Sequence, residues 1–266
     1  MKKLIILLLF LSSICYARQN ATIHQTPNIL SGYLVGQWHC NELSWAGTAG
    51  EVQDTSITKN HGTGTNGATT TASGRFGYAG NFPTSNDYLK IGSNNAYQLT
   101  TASKFTITMW IMRTATVDAD DGICSKYDAG GYTWILFING TYIQFSGYND
   151  AVTKTAFLRY SETNINTVMT INTWYFLAAE YDTTATGNAR IFISGTGGMS
   201  QIDTTGTAGE TSNPDWSTSI NVVIGNYCVS NAVEAWKGYI EEVNFWNKAL
   251  SVTELNALYY GGMIRN

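Results

Sequence analysis

Along most of the chain, apolar residues come in short stretches that alternate with polar ones, separated by clusters of Gly, Asn, Thr and Asp. Phe105-Thr106-Ile107-Thr108-Met109-Trp110 alternates cleanly, with Phe105, Ile107 and Met109 on one side, which is the period of a strand. Trp134–Phe137 and Tyr142–Phe145 flank Asn139-Gly140, the strongest short signal for a two-residue hairpin turn. Trp174–Tyr181 and Ala189–Ile193 flank the polar run Asp182–Asn188 and predict a second hairpin. Val222–Gly225 and Tyr239–Trp246 predict further strands, and the Gly- and Thr-rich segment Gly62–Gly74 reads as a long loop. Many short strands joined by polar turns predict an all-β, antiparallel two-sheet sandwich or a barrel. One short helix is predicted near the end. Ser251 and Glu254 have the spacing of a capping box, Leu255, Leu258 and Tyr259 form an apolar stripe, and Gly261-Gly262 stops it.

The first residues have a different character. Lys2 and Lys3 precede the apolar run Leu4–Leu11, and Ser13-Ile14-Cys15-Tyr16-Ala17 offers a small-residue cleavage site. This is the pattern of an export signal over residues 1–17, followed by a polar leader over 18–32 and one domain over 33–262. The run is too short to span a bilayer, and no later segment is apolar enough, so no membrane span is expected after signal removal. A secreted, extracellular protein is the expectation. Composition agrees: only 13% of residues are charged, against about 25% in ordinary soluble domains. With a net charge of -4 and no Lys/Arg cluster, a nucleic-acid partner is not expected. Once Cys15 leaves with the signal, Cys40, Cys124 and Cys228 remain. They are either three buried thiols or one bridge, Cys124–Cys228, with a free thiol beside it.

Several stretches, in order, resemble laminin G-like jelly-roll domains of the concanavalin A-like lectin/glucanase superfamily. They begin with Leu34-Val35-Gly36-Gln37-Trp38, Asp54-Thr55-Ser56 with Asn60-His61-Gly62, and Gly74–Phe82 with Asp87-Tyr88-Leu89. They continue with Phe105–Trp110, Ile123-Cys124-Ser125-Lys126, Trp174–Asp182, and Gly238–Val243 with Ala249-Leu250-Ser251. The resemblance covers nearly all of Tyr33 to Gly262. It implies a jelly-roll sandwich in which the first and last strands pair, so Leu34–Cys40 is expected beside Ile240–Trp246. Trp110, Trp174 and Trp246 are expected to fill the space between the sheets. By the same resemblance a structural Ca²⁺ would be held by Glu42 or Asp54 with Glu241 on the last strand. Glu241 stands where the family usually has Asp. Asp118, Asp120 and Asp121, three acids in one loop, form an alternative calcium site, since hard oxygen ligands suit that ion.

Sugars are gripped by aromatic faces and by amides and hydroxyls that match their OH groups. Trp216, in a polar loop after Asn213-Pro214-Asp215, ranks first as a ligand-binding residue, followed by Trp134, Tyr132, Tyr148 and Asn226. The plain alternative for each is packing. For catalysis, glucanases of the superfamily place two or three carboxylates on one strand face. Glu180 and Asp182 are the nearest match, and the third acid is missing. The expected function is a non-catalytic recognition module for a carbohydrate or an extracellular partner, a cell-surface or matrix protein. The alternatives are a glycoside hydrolase and a structural envelope or adhesion component.

Overall fold

The computed structural model describes residues 30–98, 104–116, 120–128, 131–148, 155–161, 164–182, 189–205, 219–229 and 234–261. The export signal and most of the leader therefore lie outside the described residues. No helix among those described is long and apolar enough to cross a membrane.

Two antiparallel sheets face each other across the core. The first contains β1 (Leu34–Trp38), β3 (Thr69–Thr71), β4 (Ala79–Asn81), β6 (Lys104–Arg113), β11 (Trp174–Asp182), β12 (Ala189–Gly195), β13 (Gly198–Gln201) and β16 (Gly238–Trp246). The second contains β2 (Gly62–Thr65), β5 (Tyr88–Ile91), β7 (Gly122–Asp128), β8 (Gly131–Asn139), β9 (Tyr142–Tyr148), β10 (Thr155–Ser161), β14 (Asp203–Thr205) and β15 (Val222–Ile224). The supposed loop Gly62–Gly74 thus contributes β2 and β3. Its threonines are β-branched and suit a pleated strand, even though no large apolar residue marks it.

Strand β16 organises the first sheet. Along one side it pairs with β6; along the other it pairs first with β4 and then with β1. Leu34 stands opposite Trp246 and Trp38 opposite Val243, so the two ends of the domain are joined as expected. Between Glu241 and Asn244 the register slips, with Glu242 in the left-handed region at φ 54°. This bulge bends the strand where its partner changes from β4 to β1.

Alternation decides what fills the sandwich. Phe105, Ile107 and Met109 of β6 point inward and pack with Trp38, Trp134, Trp236 and Phe245. Trp110 must then point outward, and it does. Trp110 and Trp246 join Phe176, Phe192, Leu255 and Leu258 in a second apolar layer, under the C-terminal helix Val252–Gly261. Trp174 lies partly buried against the same layer. The expectation that these three tryptophans fill the space between the sheets is therefore wrong. The helix gives the outer face of the first sheet its own apolar cover. The helix begins with the predicted box: Ser251 N donates to Glu254 Oε2 at 2.9 Å and Glu254 N to Ser251 Oγ at 3.3 Å.

Candidate functional site

Loops at one end of the sandwich enclose a cleft of about 580 Å³, within the ~300–1,000 Å³ usual for small-ligand sites. Its walls are residues 81–85 at the end of β4 and beyond it, 114–115 after β6, Asp121 just before β7, Glu234, Ala235 and Lys237 before β16, and Gly238 and Tyr239 at its start. Main-chain bonds tie these walls together. Gly122 N donates to Glu234 O at 2.7 Å, Ala235 N to Ser85 O at 3.1 Å and Thr114 N to Lys237 O at 2.9 Å. Gly122 also lies against the loop behind the cleft, where a Cβ would come 2.0 Å from Tyr227 N. The cleft is thus built by cross-linked backbone rather than by side chains alone.

Its electrostatics are acidic. Asp121 is buried and forms an ion pair with Lys237 Nζ at 3.4 Å. Burial pushes Glu234 above the usual carboxylate range, and the neighbouring Asp120 and Asp121 push it further. Asp120 holds a left-handed backbone at φ 64°, which Asp tolerates better than most residues. Tyr239 is half-buried, with its ring 6.5 Å from that of Trp174, and Phe82 supplies an apolar surface.

Beside the cleft is a cluster of tyrosines. Tyr127 meets Tyr227 edge-on at 5.1 Å and Tyr148 at 5.5 Å, and Tyr227 meets Phe137 at 5.2 Å. Burial holds the Tyr227 hydroxyl above its ordinary range, with Tyr127, Tyr148 and Asp120 adding to the effect. Asp120 is therefore a neighbour of both the cleft and the cluster.

The ligand candidates read from sequence fall in several places. Trp216 and the side chain of Tyr132 lie outside the described residues. Tyr148 belongs to the tyrosine cluster. Trp134 is a core residue, fully buried, with Nε1 donating to Tyr97 O at 3.0 Å and its ring packed on Phe105 and Phe245. Its neighbours Leu136 and Ile138 alternate inward with it, so it offers no face to a ligand. Asn226 is also fully buried, and works on the protein itself. Its Nδ2 donates to Ser85 O and Asp87 O at 3.1 and 3.0 Å, and its Oδ1 accepts from Tyr227 N at 2.7 Å. It ties the cleft wall to the tyrosine loop. Asn226→Ala removes three hydrogen bonds, those to Ser85 O and Asp87 O and that from Tyr227 N, and is expected to cost about 2 kcal/mol, read by urea unfolding.

Glu234, Lys237 and Tyr239 were not singled out from sequence. The available signal was an acid and a lysine interleaved with Ala235-Trp236 just before the last strand.

The calcium ligands do not come together. Among the described residues no group of three or more acids, histidines or cysteines could hold a metal ion. Asp54 Oδ1 accepts from Gln37 N and Ser56 N, and Oδ2 from Thr58 Oγ1 and Asn60 N. Glu42 accepts from Trp45 Nε1 and Gln53 N, and Glu241 from the backbone N–H of Arg75 and Phe76. These carboxylates face N–H and O–H protons, where a cation would be repelled, so the set does not fit Ca²⁺. In the other loop, Asp118 lies outside the described residues and Asp121 already faces the Lys237 ammonium.

Glu180 and Asp182 lie on the outward side of β11, away from the cleft. Glu180 pairs with Arg190 at 2.6 Å and Asp182 with Lys104 at 3.1 Å. Cys40, Cys124 and Cys228 are all buried and not bridged to one another, so the Cys124–Cys228 bridge is not formed. Cys124 packs in the core between the sheets as a small apolar residue.

A family model described as the concanavalin A-like lectin/glucanases superfamily matches residues 83–256. No curated protein matches the chain in sequence. Among solved structures, the binding domain of Paraclostridial Mosquitocidal Protein 1 superposes with TM-score 0.62 and 14% identity, over 86% of this chain and 52% of that one. The botulinum neurotoxin serotype D ligand binding domain, in complex with N-acetylneuraminic acid, gives 0.62 and 15%, over 91% and 54%. Domain 4 of AbnA, an extracellular arabinanase from Geobacillus stearothermophilus, in complex with arabinotriose, gives 0.54 and 12%, over 85% and 98%. The chain thus spans about half the length of the toxin binding domains and nearly all of the arabinanase domain. At these identities the likeness is one of fold.

Proposed function

This chain belongs to the concanavalin A-like lectin/glucanases superfamily, in its Laminin_G_3 family, and from that premise we propose that it is a secreted, non-catalytic binding module whose end cleft takes carbohydrate. The observation that carries the proposal is the cleft itself: a preformed space lined by carboxylates, hydroxyls and the Tyr239 ring. Saccharides need that combination, with polar groups to match their hydroxyls and an aromatic face for their C–H surfaces. Two structural neighbours hold sugars, arabinotriose and N-acetylneuraminic acid, which supports this choice of ligand class. The non-catalytic part of the proposal is supported by where the carboxylate pair with a glucanase-like spacing stands. Glu180 and Asp182 each carry a cationic partner and stand outside the cleft, so neither is placed to protonate or attack a bound sugar.

The test is a panel of immobilised glycans and matrix proteins, probed with the wild type and with Tyr239→Ala and Glu234→Gln. Glycan binding that falls at least about tenfold in both variants, with unchanged unfolding midpoints, is the expected result. Binding only to matrix proteins, or glycan binding indifferent to both substitutions, would end the reading.

A further inference from the structure

Resting on that reading of the cleft, we infer that it selects neutral saccharides and rejects acidic ones that carry a carboxylate or sulfate. The argument begins with charge. Asp121 and Glu234 line the cleft, and Asp120 stands close enough to Glu234 to act on it. Among the described residues the one cationic side chain in the lining is Lys237, whose Nζ lies 3.4 Å from Asp121 Oδ1. That ammonium is thus already engaged, and the cleft carries an excess of negative charge.

A sugar carboxylate entering this space would leave water and meet Glu234 and Asp120, while the lining ammonium of Lys237 is already turned to Asp121. Like charges brought together away from bulk water repel strongly, and rim salt screens a recessed pair only partly. A neutral sugar meets the opposite situation. Each of its hydroxyls can donate to a carboxylate oxygen, and hydrogen bonds to an ionised acceptor are roughly twice as strong as neutral ones. Tyr239 offers an uncharged ring beside the acids. The Gly122–Glu234, Ala235–Ser85 and Thr114–Lys237 main-chain bonds fix the backbone that carries the acids, so their charge stays at the cleft. Specificity here is a difference of affinities, built as much from repulsion as from attraction.

Titration calorimetry at neutral pH and moderate salt tests this, using arabinotriose and neutral hexose trisaccharides against N-acetylneuraminic acid and a trigalacturonate. The neutral sugars are expected to bind at least about tenfold more tightly, with the gap narrowing in Glu234→Gln. Acidic sugars binding as tightly as neutral ones, and losing affinity in Tyr239→Ala, would overturn the selectivity and leave the glycan reading standing. Binding of neither class would overturn both. Neutral binding unaffected by Tyr239→Ala and Glu234→Gln would overturn the assignment to this cleft.

Discussion

Replacing Asp54 by Ala is expected to lower stability by about 4 kcal/mol, the largest loss anticipated for a single polar side chain in this domain. The carboxylate is 1% exposed and accepts four hydrogen bonds, at 3.0 Å from Gln37 N, 2.8 Å from Ser56 N, 2.7 Å from Thr58 Oγ1 and 2.8 Å from Asn60 N. Three of those donors are backbone N–H groups of the tight loop 54–60 and of β1, which have nowhere else to turn. Hydrogen bonds to a buried charge are each worth about 1.5–3 kcal/mol and do not add fully, which sets the figure. The damage also spreads. Thr55 N donates to Gln37 O, Thr55 Oγ1 to Gln37 Oε1, and Gln37 Nε2 to Asn244 Oδ1 on β16. Asp54 therefore pins the loop that holds the first strand against the last. Asp54→Asn should lose about half as much, since its amide keeps one acceptor but turns N–H protons toward Asn60 N. Urea unfolding of both variants checks the ranking. If Asp54→Ala changed stability by less than 1 kcal/mol, the loop would have to be organised by something other than this carboxylate.

The same residue shows what the sequence could and could not disclose. Asp54-Thr55-Ser56 followed by Asn60-His61-Gly62 was legible as a family turn, and the family resemblance implied the pairing of Leu34–Cys40 with Ile240–Trp246, which β1 and β16 make. The strands with large apolar residues at period two were legible for the same reason: alternation dictates which face is buried. What alternation could not give was a second layer. Trp110 and Trp246 looked like core residues because they are large and sit in strands. Only the helix lying over Phe176 and Phe192 explains why they are buried on the outside. The thread of threonines in β3 was missed because it carries no apolar signal. The role of Asp54 was misassigned because a carboxylate that binds backbone N–H groups and one that binds a cation look alike in a sequence. They differ only in which atoms fold around them. The cleft was half-legible: the loop 118–121 stood out by its acids, whereas Glu234, Lys237 and Tyr239 are brought to it by contacts that only the fold makes, among them Gly122 N to Glu234 O, Ala235 N to Ser85 O and the Asp121–Lys237 ion pair. Trp216 was the leading sugar candidate from sequence and lies outside the described residues, so the cleft is argued without it.

Glu241 makes stability depend on pH in a direction opposite to that of most paired carboxylates. Burial raises it from 4.5 to about 7, with Glu242 adding to the rise, while the backbone N–H groups of Arg75 and Phe76 and the Arg75 charge oppose it. The side chain is 1% exposed, so solvent screening does little to dilute the effect. A carboxyl with a raised folded pKa binds its proton more tightly in the native state than in the unfolded chain. Its contribution is complete below the unfolded value of 4.5 and disappears as pH rises through the folded value of about 7. The shift corresponds to roughly 3 kcal/mol lost between pH 4.5 and pH 8. Glu241→Gln removes the titration and keeps an acceptor for Arg75 N, whose bond to Oε1 is 2.9 Å, while the bond from Phe76 N at 3.4 Å is the weaker one to lose. The variant is therefore expected to be more stable than the wild type at pH 8, by up to about 3 kcal/mol, and close to it at pH 5. His39 Nδ1 lies 2.7 Å from Glu242 Oε2, and this and all other charged groups stay in place in the variant. They are common to both proteins, so the difference between the two urea midpoints isolates Glu241. A difference that stays constant from pH 5 to pH 8 would mean the carboxyl is already ionised throughout and that the Arg75 loop holds it as an ordinary anion.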